Sequence, residues 1–248
     1  MQFTIESFKS LCSYEIAVIE SGRDVFLNYM FILYDKKTND AVIVDPGWDA
    51  RFIIGYINDY GLKCRGILIT HTHADHVHEA AEISSTLNCP IFMSSREASV
   101  SGYKHSNLQT FSKDTELLCG SVQCFALLTP GHTSGTSCFL VGDKLFTGDT
   151  LFIEGCGLCS GPDGSVEQMY QSIQFLRSVI PDNVLVYPGH MYKEQLAKPF
   201  SYLKQHNFYL KMTDQKIFEV FCGRKARNQK IPPKYESAKA LDTKVVVF

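Results

Sequence analysis

The segment Thr70-His71-Thr72-His73-Ala74-Asp75-His76 brings three imidazoles and one carboxylate into six consecutive residues, directly after the apolar run Gly66-Ile67-Leu68-Ile69. Polar groups crowded in this way are costly unless a cation shares their lone pairs. The apolar run reads as a strand and Glu79 to Leu87 repeats with a helical period, so the cluster sits at a strand-to-helix turn. Side chains alternate along extended chain, so His71 and His73 point to one side and can reach one ion. Asp75 and His76, where the chain turns, are displaced enough to serve a second.

Three later segments share a local grammar, a glycine-punctuated turn just after a strand: Pro130-Gly131-His132, Thr147-Gly148-Asp149 and Pro188-Gly189-His190. Each delivers one potential ligand from a strand end. Any one alone reads as a turn residue or a satisfied core histidine. Together they place five of the eight histidines in one pattern, leaving His78, His105 and His206 as surface or packing residues.

The rest of the chain supplies a scaffold of strands and helices. Ile16 to Ile19, Leu27 to Tyr34 and Ala41 to Asp45 read as strands, the last two joined by the polar turn 35–40. Asp49 caps a helix whose apolar face carries Phe52, Ile53, Ile57 and Tyr60. Further strands are expected at Ile91 to Met93, Val122 to Leu128, Ser137 to Val141, Lys144 to Thr147 and Val184 to Tyr187, with a helix from Val166 to Val179. From about Pro199 the spacing becomes mainly helical. Runs of strands with helices between them point to an α/β fold, sheets covered by helices. Two units are expected: a catalytic domain over 1–198 and a small helical, basic appendage over 199–248 for substrate or partner binding.

Composition narrows the setting. At 248 residues, 45% hydrophobic and 20% charged, the chain is globular, and no apolar run approaches the roughly 20 residues needed to span a bilayer. The first residues show no secretory signal, which points to a cytoplasmic protein. Nine cysteines, odd in number and irregularly spaced, read as reduced thiols, and Cys156-x-x-Cys159 as a tight loop rather than a zinc clip. Residues 1–198 hold 14 Lys/Arg against 22 Asp/Glu, while 199–248 hold 10 against 4. A basic end of this kind suits an acidic partner, and equally a solvated helical face.

The ordered set HxHxDH, His, Asp, His resembles the metallo-β-lactamase superfamily, with the match running over roughly residues 14–192. The resemblance implies an αββα sandwich with a dinuclear zinc site, iron or a mixed pair also fitting the ligands. His71, His73 and His132 would hold one metal, Asp75, His76 and His190 the other, and Asp149 would bridge them. It further implies hydrolysis by a metal-bridging hydroxide that Asp75 and Asp149 orient. A thiolate, with a pKa near 8.5, leaves readily, so thioesters suit such a site.

Within the superfamily, Phe146-Thr-Gly-Asp-Thr-Leu-Phe152, then Gly155-Cys-Gly157 and Tyr192, look like the glyoxalase II branch, in which that tyrosine contacts substrate. Leu158 departs from the basic residue usual there. Ile153 to Gly161, Glu167 to Gln174, Val186 to His190, Asn207-Phe-Tyr209 and Arg227-Asn-Gln-Lys230 are more similar to zinc-dependent hydrolases of bacterial trans-acyltransferase polyketide clusters. That resemblance implies release of acyl groups from the phosphopantetheine arm of an acyl carrier protein, with Arg224, Arg227 and Lys230 as candidates for the phosphate or the acidic carrier surface. The rival readings are glyoxalase II on a small glutathione thioester, a mononuclear-iron persulfide dioxygenase, and a non-catalytic carrier-binding module. Nucleic acid and membranes are not expected partners, the basic stretch being short.

Overall fold

Alternation along one strand shows how the layers arise. In β2 (Phe26–Tyr34), Phe31 and Leu33 face one way into an apolar cluster, whereas Met30 and Ile32 face the other way into a second. A strand buried on both faces must be sandwiched. The computed structural model describes residues 14–23, 26–228 and 243–246.

The elements, in chain order, are β1 (Glu15–Arg23), β2, β3 (Asp40–Val44), α1 (Ala50–Asp59), β4 (Lys63–Leu68), α2 (Ala74–Val77), α3 (Ala80–Leu87), β5 (Ile91–Ser94), α4 (Ser95–Ser101), β6 (Leu108–Phe111), β7 (Thr115–Cys119), β8 (Val122–Leu128), β9 (Ser137–Val141) and β10 (Lys144–Gly148). After them come α5 (Val166–Val179), β11 (Leu185–Pro188), β12 (Lys198–Pro199), α6 (Phe200–His206), α7 (Phe208–Lys211), α8 (Gln215–Asn228) and β13 (Lys244–Val246). They form a seven-stranded sheet, β13-β1-β2-β3-β4-β5-β6, and a six-stranded sheet, β12-β11-β10-β9-β8-β7.

Three apolar layers hold the sheets. Between them, Phe31, Val42, Val44 and Leu68 of the first meet Ala126, Phe139, Phe146 and Tyr187 of the second. Phe31 and Phe146 lie 4.9 Å apart by ring centroid, a pair stabilised beyond its buried area by ring geometry. On the outer face of the first sheet, Ile53 and Ile57 of α1 and Ala80 and Ile83 of α3 cover Met30, Ile43 and Ile67. On the outer face of the second, α5 supplies Met169, Ile173 and Leu176, and α6 to α8 supply Phe200, Leu203, Leu210 and Phe218. The architecture is the expected αββα sandwich.

Local signals explain the helix starts. Asp49 accepts from the Phe52 amide and Ser165 from the Gln168 amide, opening α1 and α5 as their sequences imply. The helix expected from Glu79 is preceded by one extra turn, α2. Four elements have weak sequence signals. β6 is four residues with polar Gln109 and Thr110 at its centre, β7 sets the apolar Leu118 on its exposed face, α4 is a seven-residue helix, and β13 is three residues at a sheet edge. Among the described residues, no helix is long and apolar enough to cross a membrane. Cys64, Cys89, Cys119, Cys124 and Cys138 carry no disulfide, and all but Cys64 are buried.

Candidate metal centre

Five strand ends converge on one point. β4 runs into the His71–His76 segment, while β8 delivers His132 and β10 delivers Asp149. β11 lies parallel to β10 with Gly148 opposite Pro188, which puts Asp149 and His190 on neighbouring strand ends. β3 lies parallel to β4 and ends at Val44, so Asp45 comes beside Thr70. Close approach at this point demands glycine. A Cβ on Gly189 would meet His76 Cε1 at 2.5 Å and Asp149 Oδ1 at 3.1 Å.

The sequence-predicted ligands come together in the expected groups. His73 Nδ1 lies 3.1 Å from His71 Nε2 and 2.9 Å from His132 Nε2. In the second group Asp75 Oδ2 lies 3.4 Å from His190 Nε2 and 3.6 Å from His76 Nε2. Asp149 stands between the groups. Its Oδ1 is 3.4 Å from both His76 Nε2 and His190 Nε2, and its Oδ2 is 3.6 Å from His132 Nε2. His71 also falls within reach of His76 and Asp149.

The donor set suits a cation. His76 Nε2 and Asp149 Oδ1 are buried with no hydrogen-bond partner, a state that costs about 1–3 kcal/mol per group unless something supplies the missing contact. Imidazole and carboxylate together fit zinc or iron.

The far nitrogens of three ligands are tethered, which leaves the near ones facing the centre. His71 Nδ1 is 3.0 Å from Thr70 Oγ1, whose hydroxyl donates to Asp45 Oδ2 at 2.6 Å. His76 Nδ1 lies 3.0 Å from that same Asp45 oxygen. His132 Nδ1 donates to the Leu158 carbonyl at 2.6 Å, so Leu158 contributes through its backbone whatever its side chain. Asn28 donates to Asp75 Oδ2 at 2.9 Å. Asp45 and Asn28 carry no motif in the sequence, and the motif that holds Leu158 does not show its carbonyl bracing a histidine. The one available signal was an aspartate closing the buried strand β3 just before Pro46-Gly47.

Electrostatics divide the cluster. Burial favours a neutral Asp75, but the charges on His76 and His190 and hydrogen bonds from His190 and Asn28 hold its carboxyl far below the usual range. Burial also opposes charge on His76, yet Asp75, the Asp45 hydrogen bond and Asp149 push its imidazole up to about 10. His71 moves the other way. Burial, then the charges of His76 and His132, drives it well below the ordinary imidazole value. Without a metal, protons therefore collect on the His76/His190 side, next to the carboxylates.

The other candidates are placed less centrally. Tyr192 is exposed at the rim, its ring 5.2 Å from that of Phe152, which is in turn 6.1 Å from the His190 ring. Arg224 and Arg227 fall on α8, but their side chains are outside what is described, and Lys230 lies outside the described residues. Cys156 pairs with Leu151 in a tight bridge, and neither it nor Cys159 joins the metal-competent groups found among the described residues.

The sequence of residues 23–190 matches the family model of the metallo-beta-lactamase superfamily, a span containing all seven converging residues. The chain belongs to that superfamily. A superfamily member of Bacillus velezensis, a probable polyketide biosynthesis zinc-dependent hydrolase, is 35% identical over 218 residues, covering 88% of this chain and 96% of that protein. A hydroxyacylglutathione hydrolase of Shewanella loihica is 35% identical over 169 residues, covering 67% of this chain and 63% of that enzyme. Among solved structures, ETHE1 from Myxococcus xanthus has a TM-score of 0.75 at 25% identity, covering 89% of this chain and 93% of that one.

Proposed function

We propose that this superfamily member is a dinuclear zinc hydrolase that releases acyl groups from the phosphopantetheine thioester of an acyl carrier protein. Asp149 carries the dinuclear part of the reading, because each of its carboxylate oxygens faces a different group of histidines. His71, His73 and His132 would hold one ion, and Asp75, His76 and His190 the other. When bound, zinc supplies Lewis acidity toward the thioester carbonyl and activation of water at neutral pH.

The chain's own residues do the positioning. Asp45 fixes the orientation of His76 directly and of His71 through Thr70, and Asn28 fixes Asp75. Asp75 and Asp149 are already ionised before zinc binds, since the positive imidazoles beside them in the metal-free cluster outweigh the burial that would protonate them. As carboxylates they would help hold the cations and orient the attacking water. Tyr192, exposed beside Phe152, would contact the substrate's thiol arm.

The carrier reading is supported by the extent of the similarity. The Bacillus velezensis hydrolase matches 88% of the chain, and the hydroxyacylglutathione hydrolase 67%. The basic balance of residues 199–248, 10 Lys/Arg against 4 Asp/Glu, suits an acidic carrier. The decisive measurement is kcat/KM of zinc-loaded protein on an acyl carrier thioester and on S-lactoylglutathione in one assay. A preference of at least about tenfold for the carrier, equal to 1.4 kcal/mol in transition-state binding, is the expected result. Preference for the glutathione thioester would instead make the chain a glyoxalase II. A mononuclear-iron persulfide dioxygenase would leave one side of Asp149 without a metal, and one iron per chain with oxygen uptake would establish it.

A further inference from the structure

Glu97 is a glutamate with 2% exposure, in the first turn of α4, and it joins none of the metal-competent groups found among the described residues. Its Oε1 accepts from the Thr72 amide at 2.7 Å and from the Thr72 hydroxyl at 2.6 Å. Its Oε2 accepts from the Thr133 hydroxyl at 2.6 Å. Thr72 lies between His71 and His73, and Thr133 follows His132. One carboxylate thus joins the two segments that carry the first group of imidazoles.

The helix is itself pinned against the second segment. Ser94 Oγ accepts from the Glu97 amide at 3.0 Å and donates to the Gly135 carbonyl at 2.6 Å. A Cβ on Gly135 would fall 2.5 Å from Glu97 Cα, so the close contact exists only because that residue is glycine. The second group is braced by other residues, Asp45 on His76 and Asn28 on Asp75. Asp45 reaches both groups, while Glu97 reaches only the first.

We propose that Glu97 is a positioning residue that fixes the gap between the His71–His73 segment and His132, and so sets zinc affinity at that position selectively. The inference rests on the metal reading of the cluster. A Gln at 97 keeps the shape but removes the negative charge and one of the two acceptor oxygens, and a Val at 133 removes one arm at nearly constant volume. Loss of a residue that orients ligands from behind typically weakens metal binding about 10- to 100-fold.

The test uses Glu97→Gln, Thr133→Val and Thr133→Ser. Zinc retained under graded chelator gives affinity, zinc anomalous diffraction gives occupancy at each position, and the Tm of zinc-free protein reports the fold. Glu97→Gln and Thr133→Val are expected to bind zinc about tenfold more weakly at the His71/His73/His132 position. Occupancy at the Asp75/His76/His190 position should hold, and Thr133→Ser, which keeps the hydroxyl, should match wild type. Equal losses at both positions, full occupancy at the first with only a lowered zinc-free Tm, or Thr133→Ser behaving like Thr133→Val would each overturn the proposal. Wild-type protein that takes up no zinc would overturn the metal reading itself, and this inference with it.

Discussion

The ligand cluster and the C-terminal helices are built on opposite terms. In the cluster three of the five imidazoles are fixed by polar contacts from behind: His71 through Thr70, His76 by Asp45, His132 by the Leu158 carbonyl. In α6 to α8 the order comes from apolar packing on one side, Phe200, Leu203, Leu210 and Phe218 against α5 and the second sheet. Their other side keeps Phe208, Ile217 and Val220 at about half exposure. A site fixed by hydrogen bonds tolerates almost no change in its residues, whereas a packed face needs only apolar volume and leaves its outer surface open to vary. That difference is a physical reason for one hydrolytic centre to occur with several substrate ranges.

The largest effect should come from the residue between the two ligand groups. Asp149→Ala removes both facing oxygens and is expected to reduce kcat/KM at least about 10³-fold, more than 4 kcal/mol of transition-state stabilisation, and to lower zinc content. Turnover within tenfold of wild type, with zinc content unchanged, would show that Asp149 joins nothing.

The two regions meet at Asn207, and its removal tests how firmly. The Asn207 amide donates to the carbonyls of Phe152, Ile153 and Gly155 at 2.9, 3.2 and 3.0 Å, while its own oxygen accepts from the Leu210 amide at 2.9 Å. It thereby ties the start of α7 to the loop between Asp149 and Leu158. Asn207→Ala would leave buried carbonyls unsatisfied, at about 2–4 kcal/mol. For a chain of this length that lowers Tm by roughly 5–15 °C. Thermal denaturation checks it, and an unchanged Tm would mean that the helices and the loop are independent.

The seven converging residues were legible in sequence because residue type and spacing carry them: HxHxDH at a strand end, and three strand-glycine turns with one polar residue each. Their bracing was not. Asn28 meets Asp75 only when β2 passes beside α2, and Glu97 meets Thr133 across 36 residues once α4 folds back on the turn after β8. No local pattern encodes such contacts. The same contrast holds for the fold. α5, with its regular apolar period, could be read directly, whereas β6 and β7 could not, being short strands of which one has Gln109 and Thr110 at its centre and the other carries Leu118 on its exposed face.

Acidity should separate the regions next, because the titrating groups lie in the cluster. Burial and neighbouring imidazoles lower His71 and His73, so in zinc-free protein the unfolded chain takes up protons below about 6.5 that the folded chain refuses. Stability is then lost as pH falls below that value. His76 and His190 are raised, despite burial, by the carboxylates beside them. Their contribution is complete below about 6.5 and fades as pH rises, for His76 through about 10. The stability of zinc-free protein, and with it Tm, should therefore peak near pH 6–7, the unfolding free energy falling by about 1.4 kcal/mol per pH unit for each group on either side. A flat profile over pH 5–9 would show that these imidazoles are not held as the geometry implies.

The smallest expected effect lies on the helices and concerns recognition alone. Lys211 and Lys216 are exposed on α7 and α8, outside the buried core, and neither contacts the cluster. Reversing both, Lys211→Glu with Lys216→Glu, should leave Tm within about 2 °C, as for most surface substitutions. Turnover of S-lactoylglutathione should also be unchanged. If an acidic carrier approaches over this face, KM for the carrier thioester should rise roughly three- to tenfold at low ionic strength, and the difference should shrink as salt screens the charges. An equal loss on both substrates would place the lysines' influence at the catalytic centre, against the comparison. No loss on either would confine the basic character of 199–248 to solvation, and would leave the carrier, if there is one, to dock elsewhere.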